Sequence, residues 1–297
     1  MRNPIIPQDA GDPYILKDGT DYYMTATGGG DIGLNGFVCW HSKDLENWSD
    51  PVTILDFRDV SWANTNAWAP SMVEKDGYYY FAFCADQQIG IAVCNSPMGT
   101  FRDILGKPLI AKTDYDFQTI DPCFIKDDDG TVYLAFGQGR CLMSRIELTP
   151  DSAAFIGNME CLSELIYRQD GAPSPHPELK EVYNEAPDLI KIGERYLFSW
   201  AIYDVLDYRY AVRYAWARHP MGPYIMPLDY DHPQNILLEG RHDITGCGHA
   251  CVTEYNGEYY ITYGRHKKDR TQNFGREMCC EKITFLDDDH LVAVPTR

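Results

Sequence analysis

Short runs rich in β-branched and aromatic residues, broken by polar turns that carry glycine, recur along this chain. One arrangement of them appears five times, over residues 12–27, 69–83, 121–136, 185–200 and 248–263. Each copy is a first apolar run, a charged turn ending in Gly19, Gly77, Gly130, Gly193 or Gly257, and a second run that contains tyrosine. Such a unit predicts a β-hairpin, because glycine supplies the turn and the flanking residues fit a pleated, half-buried surface. Pro13, Pro70, Pro122 and Pro187 stand at the openings of the first strands, where a missing N–H is tolerated. Polar stretches such as 42–48, 96–101 and 219–224 then read as turns between outer strands. No segment shows the 3.6-residue period of an amphipathic helix. Repeated hairpins with room between them for further strands predict an all-β, five-bladed β-propeller, one domain spanning residues 1–297. A β-sandwich also contains many short strands, but it does not require the same hairpin five times over.

In a propeller the first strands of all blades run alongside the central channel, so their starting residues form a ring at one mouth. Here that ring would hold Asp12, Trp68-Ala69, Asp121, Glu185-Ala186 and His249. The proline, glycine and tyrosine positions are nearly uniform from copy to copy, whereas the ring positions differ. Broken symmetry of this kind points to chemistry. Carboxylates brought close together repel, so their pKa values separate into an acid and a base. Glycoside hydrolysis uses that division: one carboxyl protonates the leaving oxygen and the other activates water or attacks carbon.

Composition narrows the partners. The net charge is −18, which repels phosphate backbones and argues against nucleic acid, while a neutral sugar is compatible with it. No run reaches the ~20 apolar residues of a membrane span. The first residues lack the apolar stretch and cleavage site of a signal peptide, and the ten cysteines follow no framework spacing. Both features lead us to expect reduced thiols and a cytoplasmic location. Cys247, His249 and Cys251 alternate, but nothing nearby offers a fourth zinc ligand. Asp127-Asp128-Asp129-Gly130 resembles the start of a calcium loop, yet the closing position holds Gln138, so a hairpin turn is expected. Trp40, Trp62 and Trp200 read as packing residues, and Trp68 as an aromatic platform at the ring.

The motifs around Asp12-Pro13, Asp121-Pro122 and Glu185-Ala186-Pro187, each followed by a glycine turn and a tyrosine strand, resemble glycoside hydrolase family 43. Residues 245–250, with His249, and the segment from Gly275 through Val294 fit the same resemblance. It implies an inverting glycosidase on a five-bladed propeller, acting on α-L-arabinofuranosides or β-D-xylosides of plant polysaccharides. It further implies Asp12 as general base, Glu185 as general acid, and Asp121 as the group that holds the acid and raises its pKa. His249 would face an ion, commonly calcium, through water, and Arg265 would contact substrate. No cofactor is expected for the chemistry itself. Oligosaccharide is the expected partner, and the oligomeric state is left open. Two other readings are a non-catalytic carbohydrate-binding propeller and a related propeller glycosidase acting on fructosides or galactosides. The fructoside enzymes carry Asn-Asp-Pro, Arg-Asp-Pro and Glu-Cys motifs, which Gly11-Asp12, Ile120-Asp121 and Glu185-Ala186 do not match.

Overall fold

The five hairpins form, and each nucleates one blade. A computed structural model describes residues 2–6, 8–28, 34–172, 182–227, 235–268 and 275–297. Blade one contains β1 (Tyr14–Asp18), β2 (Asp21–Thr25), β3 (Gly36–Ser42) and β4 (Val52–Asp56), paired in that order. Blade two contains β5 (Trp68–Lys75), β6 (Tyr78–Ala85), β7 (Gln88–Cys94) and β8 (Arg102–Asp103). Blade three contains β9 (Cys123–Lys126), β10 (Val132–Phe136), β11 (Leu142–Thr149) and β12 (Ser152–Cys161). The five turn glycines all have positive φ, between 59° and 83°, a region that L side chains enter at a cost.

Blades four and five depart from this plan. In blade four the order is β13 (Ile166–Arg168), β17 (Tyr224–Met226), β16 (Ala211–Ala217), β15 (Arg195–Ile202) and β14 (Glu185–Ile192). The outermost strand β13 arrives from the preceding connection and pairs in parallel with β17, and β18 (Ile236–Leu238) also pairs with β16. Among the described residues, blade five has three strands, β19 (Gly248–Tyr255), β20 (Glu258–His266) and β21 (Arg276–Lys282). Its outer edge is covered by the N-terminal segment. The Ile5 N–H donates to the Met278 carbonyl at 2.9 Å, and the Asn3 side chain accepts from the Cys280 N–H at 2.9 Å. The first and last parts of the chain are thereby joined, closing the ring. A C-terminal ribbon of β22 (Thr284–Phe285) and β23 (Leu291–Val292) lies beside β18.

The cores lie between blades. Phe37, Phe81, Phe83 and Phe101 pack edge-on and offset between blades one and two. Trp200 and Phe198 fill the layer between three and four, and Trp40 that between five and one. Trp40 and Trp200 are each 1% exposed, so they are packing residues as expected. Trp62 stacks on Phe83 and donates to Asp103 at 2.9 Å. All ten thiols are unbridged. Asp127 to Gly130 form the hairpin turn, closed by the Gly130 N–H on the Asp127 carbonyl at 2.9 Å.

Candidate active site

Four of the five first strands enter the channel through one residue in left-handed backbone conformation. These residues are Asp12 (φ 58°), Asp121 (φ 56°), Ala186 (φ 57°) and His249 (φ 46°). Non-glycine residues pay roughly 1–3 kcal/mol for such backbone, and strain of this kind gathers at functional sites. In blade four the strained residue is Ala186, so Glu185 reaches the ring from one position earlier. The pairing slips there, Glu185 facing Ala201 and Asp188 facing Ser199, and a similar slip falls between Gly248 and Ala250. The second slip breaks the alternation expected of Cys247, His249 and Cys251. Cys247 packs between blades four and five and Cys251 between five and one, which removes the basis for a zinc site.

Asp12 is the most tightly held carboxylate. Arg276, at the start of β21, donates from both terminal nitrogens, one bond to Oδ2 measuring 2.8 Å and the other reaching Oδ1. Thr27 donates its hydroxyl to Asp12 Oδ2 and accepts the Ala69 N–H at 2.9 Å, tying blade two to blade one. His249 Nδ1 lies 3.1 Å from Asp12 Oδ1 and 3.7 Å from Asp121 Oδ2. Burial pushes the Asp12 carboxyl up, but the charges of Arg276 and His249 and the bonds from Arg276 and Thr27 outweigh it. The result is a carboxylate held well below its usual range. Gly11 makes this clamp possible: a Cβ there would lie 2.2 Å from the Arg276 guanidinium carbon.

Glu185 and Asp121 lean the other way. Burial raises Glu185 and is only partly countered by bonds from Tyr210 and Gln138, while the charges of Asp12 and Asp204 add to the rise. Tyr210 donates to Oε1 at 2.7 Å and Gln138 Nε2 to Oε2 at 2.5 Å. Asp121 is raised well above its ordinary value by burial and by the charges of Glu185 and Asp12. Its Oδ2 accepts the Ala186 N–H at 3.0 Å, so it meets the Glu185 backbone through the next peptide. Burial lowers the His249 imidazole, partly offset by Asp12.

Asp12, Asp121, Glu185 and His249 thus come together, and the half-buried Trp68 opens β5 at the same mouth. Arg265 does not join them. It is 2% exposed, with Nε on Glu277 at 2.9 Å and Nη1 on the Thr296 carbonyl at 2.5 Å. His266 faces Arg276 across β20 and β21, one register step on, and alternation turns Arg265 to the other side of the sheet. The cation at the cluster is Arg276. A sequence signal for it existed in Gly275-Arg276, inside the segment that carried the family resemblance. Thr27, Gln138 and Tyr210 had no comparable signal.

An axial calcium ion finds few donors here. Calcium takes six to eight oxygens. Among the described residues, no three His, Cys, Asp or Glu side chains are arranged to hold a metal, and Arg276 already occupies Asp12. The described side chains do not form a directly ligating shell; an ion facing His249 through water, as the resemblance implies, would take its remaining oxygens from solvent.

The profile of the Glycosyl hydrolases family 43 matches residues 1–291. The chain belongs to this family. It is a glycosidase, with the xylosidases and arabinofuranosidases among its relatives. It is 28% identical to the β-D-galactofuranosidase xynD of Aspergillus niger, over 98% of this chain and 84% of the relative. It is 27% identical to a β-xylosidase of Xylanibacter ruminicola, over 80% and 76% respectively. Among solved structures, a thermostable family-43 glycoside hydrolase superposes with a TM-score of 0.79 at 25% identity, covering 99% of this chain and 96% of the other. A family-43 β-xylosidase/α-arabinofuranosidase from a compost microbial metagenome, bound to xylotriose in a calcium-free form, shares the fold at TM-score 0.79 and 20% identity, over 99% and 98%.

Proposed function

We propose that this family-43 glycosidase is exo-acting and inverting, and that it releases α-L-arabinofuranosyl or β-D-xylosyl units from plant polysaccharide fragments. The observation that supports it most is the opposite bias of two carboxyls in one buried cluster. Arg276 holds Asp12 ionised, while burial biases Glu185 toward its protonated form. Water attacks the anomeric carbon as Asp12 takes its proton. The glycosidic C–O bond breaks as the Glu185 proton passes to the leaving oxygen. Asp121 holds the acid in place by accepting the N–H of the Glu185–Ala186 peptide, and His249 braces both aspartates. Trp68 offers its ring to the sugar. A galactofuranoside is the second reading, favoured by the activity named for the Aspergillus relative.

A panel of nitrophenyl glycosides identifies the sugar, and proton NMR of the first-formed anomer tests inversion; a retained anomer overturns that part. The roles are tested by comparing an aryl glycoside with the corresponding disaccharide. A nitrophenolate leaves without protonation, so Glu185→Ala should lose far more activity on the disaccharide. Water needs activation whichever group departs, so Asp12→Ala should depress both by similar factors, typically ~10²–10⁴. Equal losses from Glu185→Ala on both substrates would exchange or abolish the assigned roles.

A further inference from the structure

The acid is gripped from two blades by groups that have no part in the sequence motifs. Gln138 stands on the β10–β11 turn of blade three, where its N–H donates to the Gln118 carbonyl at 3.0 Å and the Gly139 N–H donates to the Asn184 carbonyl at 2.6 Å. The second bond fastens that turn to the residue preceding Glu185. Tyr210 precedes β16 in blade four; it is 1% exposed and packed with Ala186 and Ala201. Its ring lies so close to β19 that a Cβ on Gly248 would fall 2.4 Å from two ring carbons. Each donor takes a different oxygen of Glu185.

Resting on the assignment of Glu185 as the acid, we infer that Gln138 and Tyr210 are a pair of positioning residues that select which oxygen carries the proton and stabilise the carboxylate left behind. An amide N–H can only donate, so Oε2, which faces Gln138 Nε2, is the oxygen without the proton. A phenol hydroxyl can donate or accept. When Glu185 is protonated, the proton therefore sits on Oε1 and the Tyr210 hydroxyl turns from donor to acceptor. When the O–H bond of Glu185 breaks and the proton joins the departing glycosidic oxygen, Oε1 becomes anionic. The Tyr210 hydroxyl then donates to it while Gln138 continues to donate to Oε2. Both bonds are stronger to the ionised product than to the neutral acid, so they favour the transition state for proton transfer.

Among the described residues, the other charged and titratable groups that bear on Glu185 are Asp12, Asp121, Asp204, Arg276 and Tyr183, with His249 against the two aspartates. The substitutions below leave all of them in place.

The experiment is the pH profile of kcat/KM for Tyr210→Phe and Gln138→Leu, on an aryl glycoside and on the disaccharide of the same sugar. Loss of a donor to the carboxylate should move the alkaline limb upward by about one pH unit. It should also cost the disaccharide about tenfold more than the aryl glycoside. A variant that merely loosened the pocket would admit water and move that limb down, so the direction separates the two roles. Gly248→Ala, which displaces the Tyr210 ring, should shift the limb the same way and add little to Tyr210→Phe. Gln138 is half-buried on a turn, so its variant keeps the test available should Tyr210→Phe fold poorly. A carbon-13 titration of the Glu185 carboxyl reads the same shift without substrate, and so distinguishes failure of the clamp from failure of the sugar assignment. An alkaline limb and a carboxyl titration that stay in place, or move down, would overturn the inference.

Discussion

Arg276 and Asp12 form a buried ion pair whose value lies in what each does to the other. A buried guanidinium is costly unless paired, and Asp12 repays it with two hydrogen bonds. In return Arg276 keeps the base ionised, so the acidic limb of the pH–rate profile should lie below the usual carboxylate range. Arg276→Met removes the charge, raises the Asp12 pKa, and should move that limb to higher pH, with the largest loss of activity on the acid side of neutrality. Initial rates from pH 3 to 9 read the shift. An acidic limb unmoved by Arg276→Met would show that another group sets it. Asp12-Pro13 and Asp121-Pro122 stand out in the sequence because they break a fivefold symmetry. Arg276 is less visible because its partner lies 264 residues away and only ring closure joins them.

Asp188 shows what the elements decide. Three positions after Glu185 on β14, it is buried where the innermost strands meet. Its Oδ2 accepts the Val252 N–H of β19 at 2.9 Å, and its Oδ1 faces the Cys123 thiol of β9 at 3.9 Å. Burial outweighs these bonds and pushes the carboxyl up to about 7. The folded-state pKa therefore exceeds the unfolded one. Its contribution to stability is complete below about pH 4, declines as pH rises, and is gone above about pH 7. Asp188→Asn keeps an oxygen for the Val252 N–H and removes the titration. Melting temperatures measured from pH 4 to 8 should fall less steeply for this variant than for the parent, and equal slopes would place the proton elsewhere. Its sequence context, Ala186-Pro187-Asp188-Leu189, looks like any strand opening. Only the slip in pairing after Glu185 turns Asp188 inward.

At the scale of the whole molecule, stability depends on closing a ring of blades that otherwise contact only their neighbours. The N-terminal segment is the closure. Asn3 alone donates to Glu281 at 2.7 Å, donates to Thr296 at 3.2 Å and accepts from the Cys280 N–H. Asn3→Ala leaves the buried Cys280 N–H of β21 without its acceptor, while Glu281 keeps its bonds from Thr296, and should cost about 1–3 kcal/mol in urea or thermal unfolding. Because the closure lies behind the strand that carries Arg276, the variant should also lose activity at temperatures below its melting point. A variant with unchanged stability would mean that blade five closes without this side chain.

The sequence by itself determined the local units. Turn glycines, β-forming runs and opening prolines act within a few residues, so five hairpins, their turns and the three carboxylates at their starts could be read directly. The propeller followed because repeated hairpins with apolar faces must cover one another. What the tertiary structure decided depends on approaches between distant segments. It turned Arg265 away and brought Arg276 in, through one step of β-register. It placed Ala186 rather than Glu185 at the strained ring position, and added β13 to the edge of blade four. It also brought Gln138 and Tyr210 to the acid. Those outcomes rest on register slips and ring closure, where a shift of one residue turns a side chain to the opposite face, and no local pattern of residue types encodes that choice.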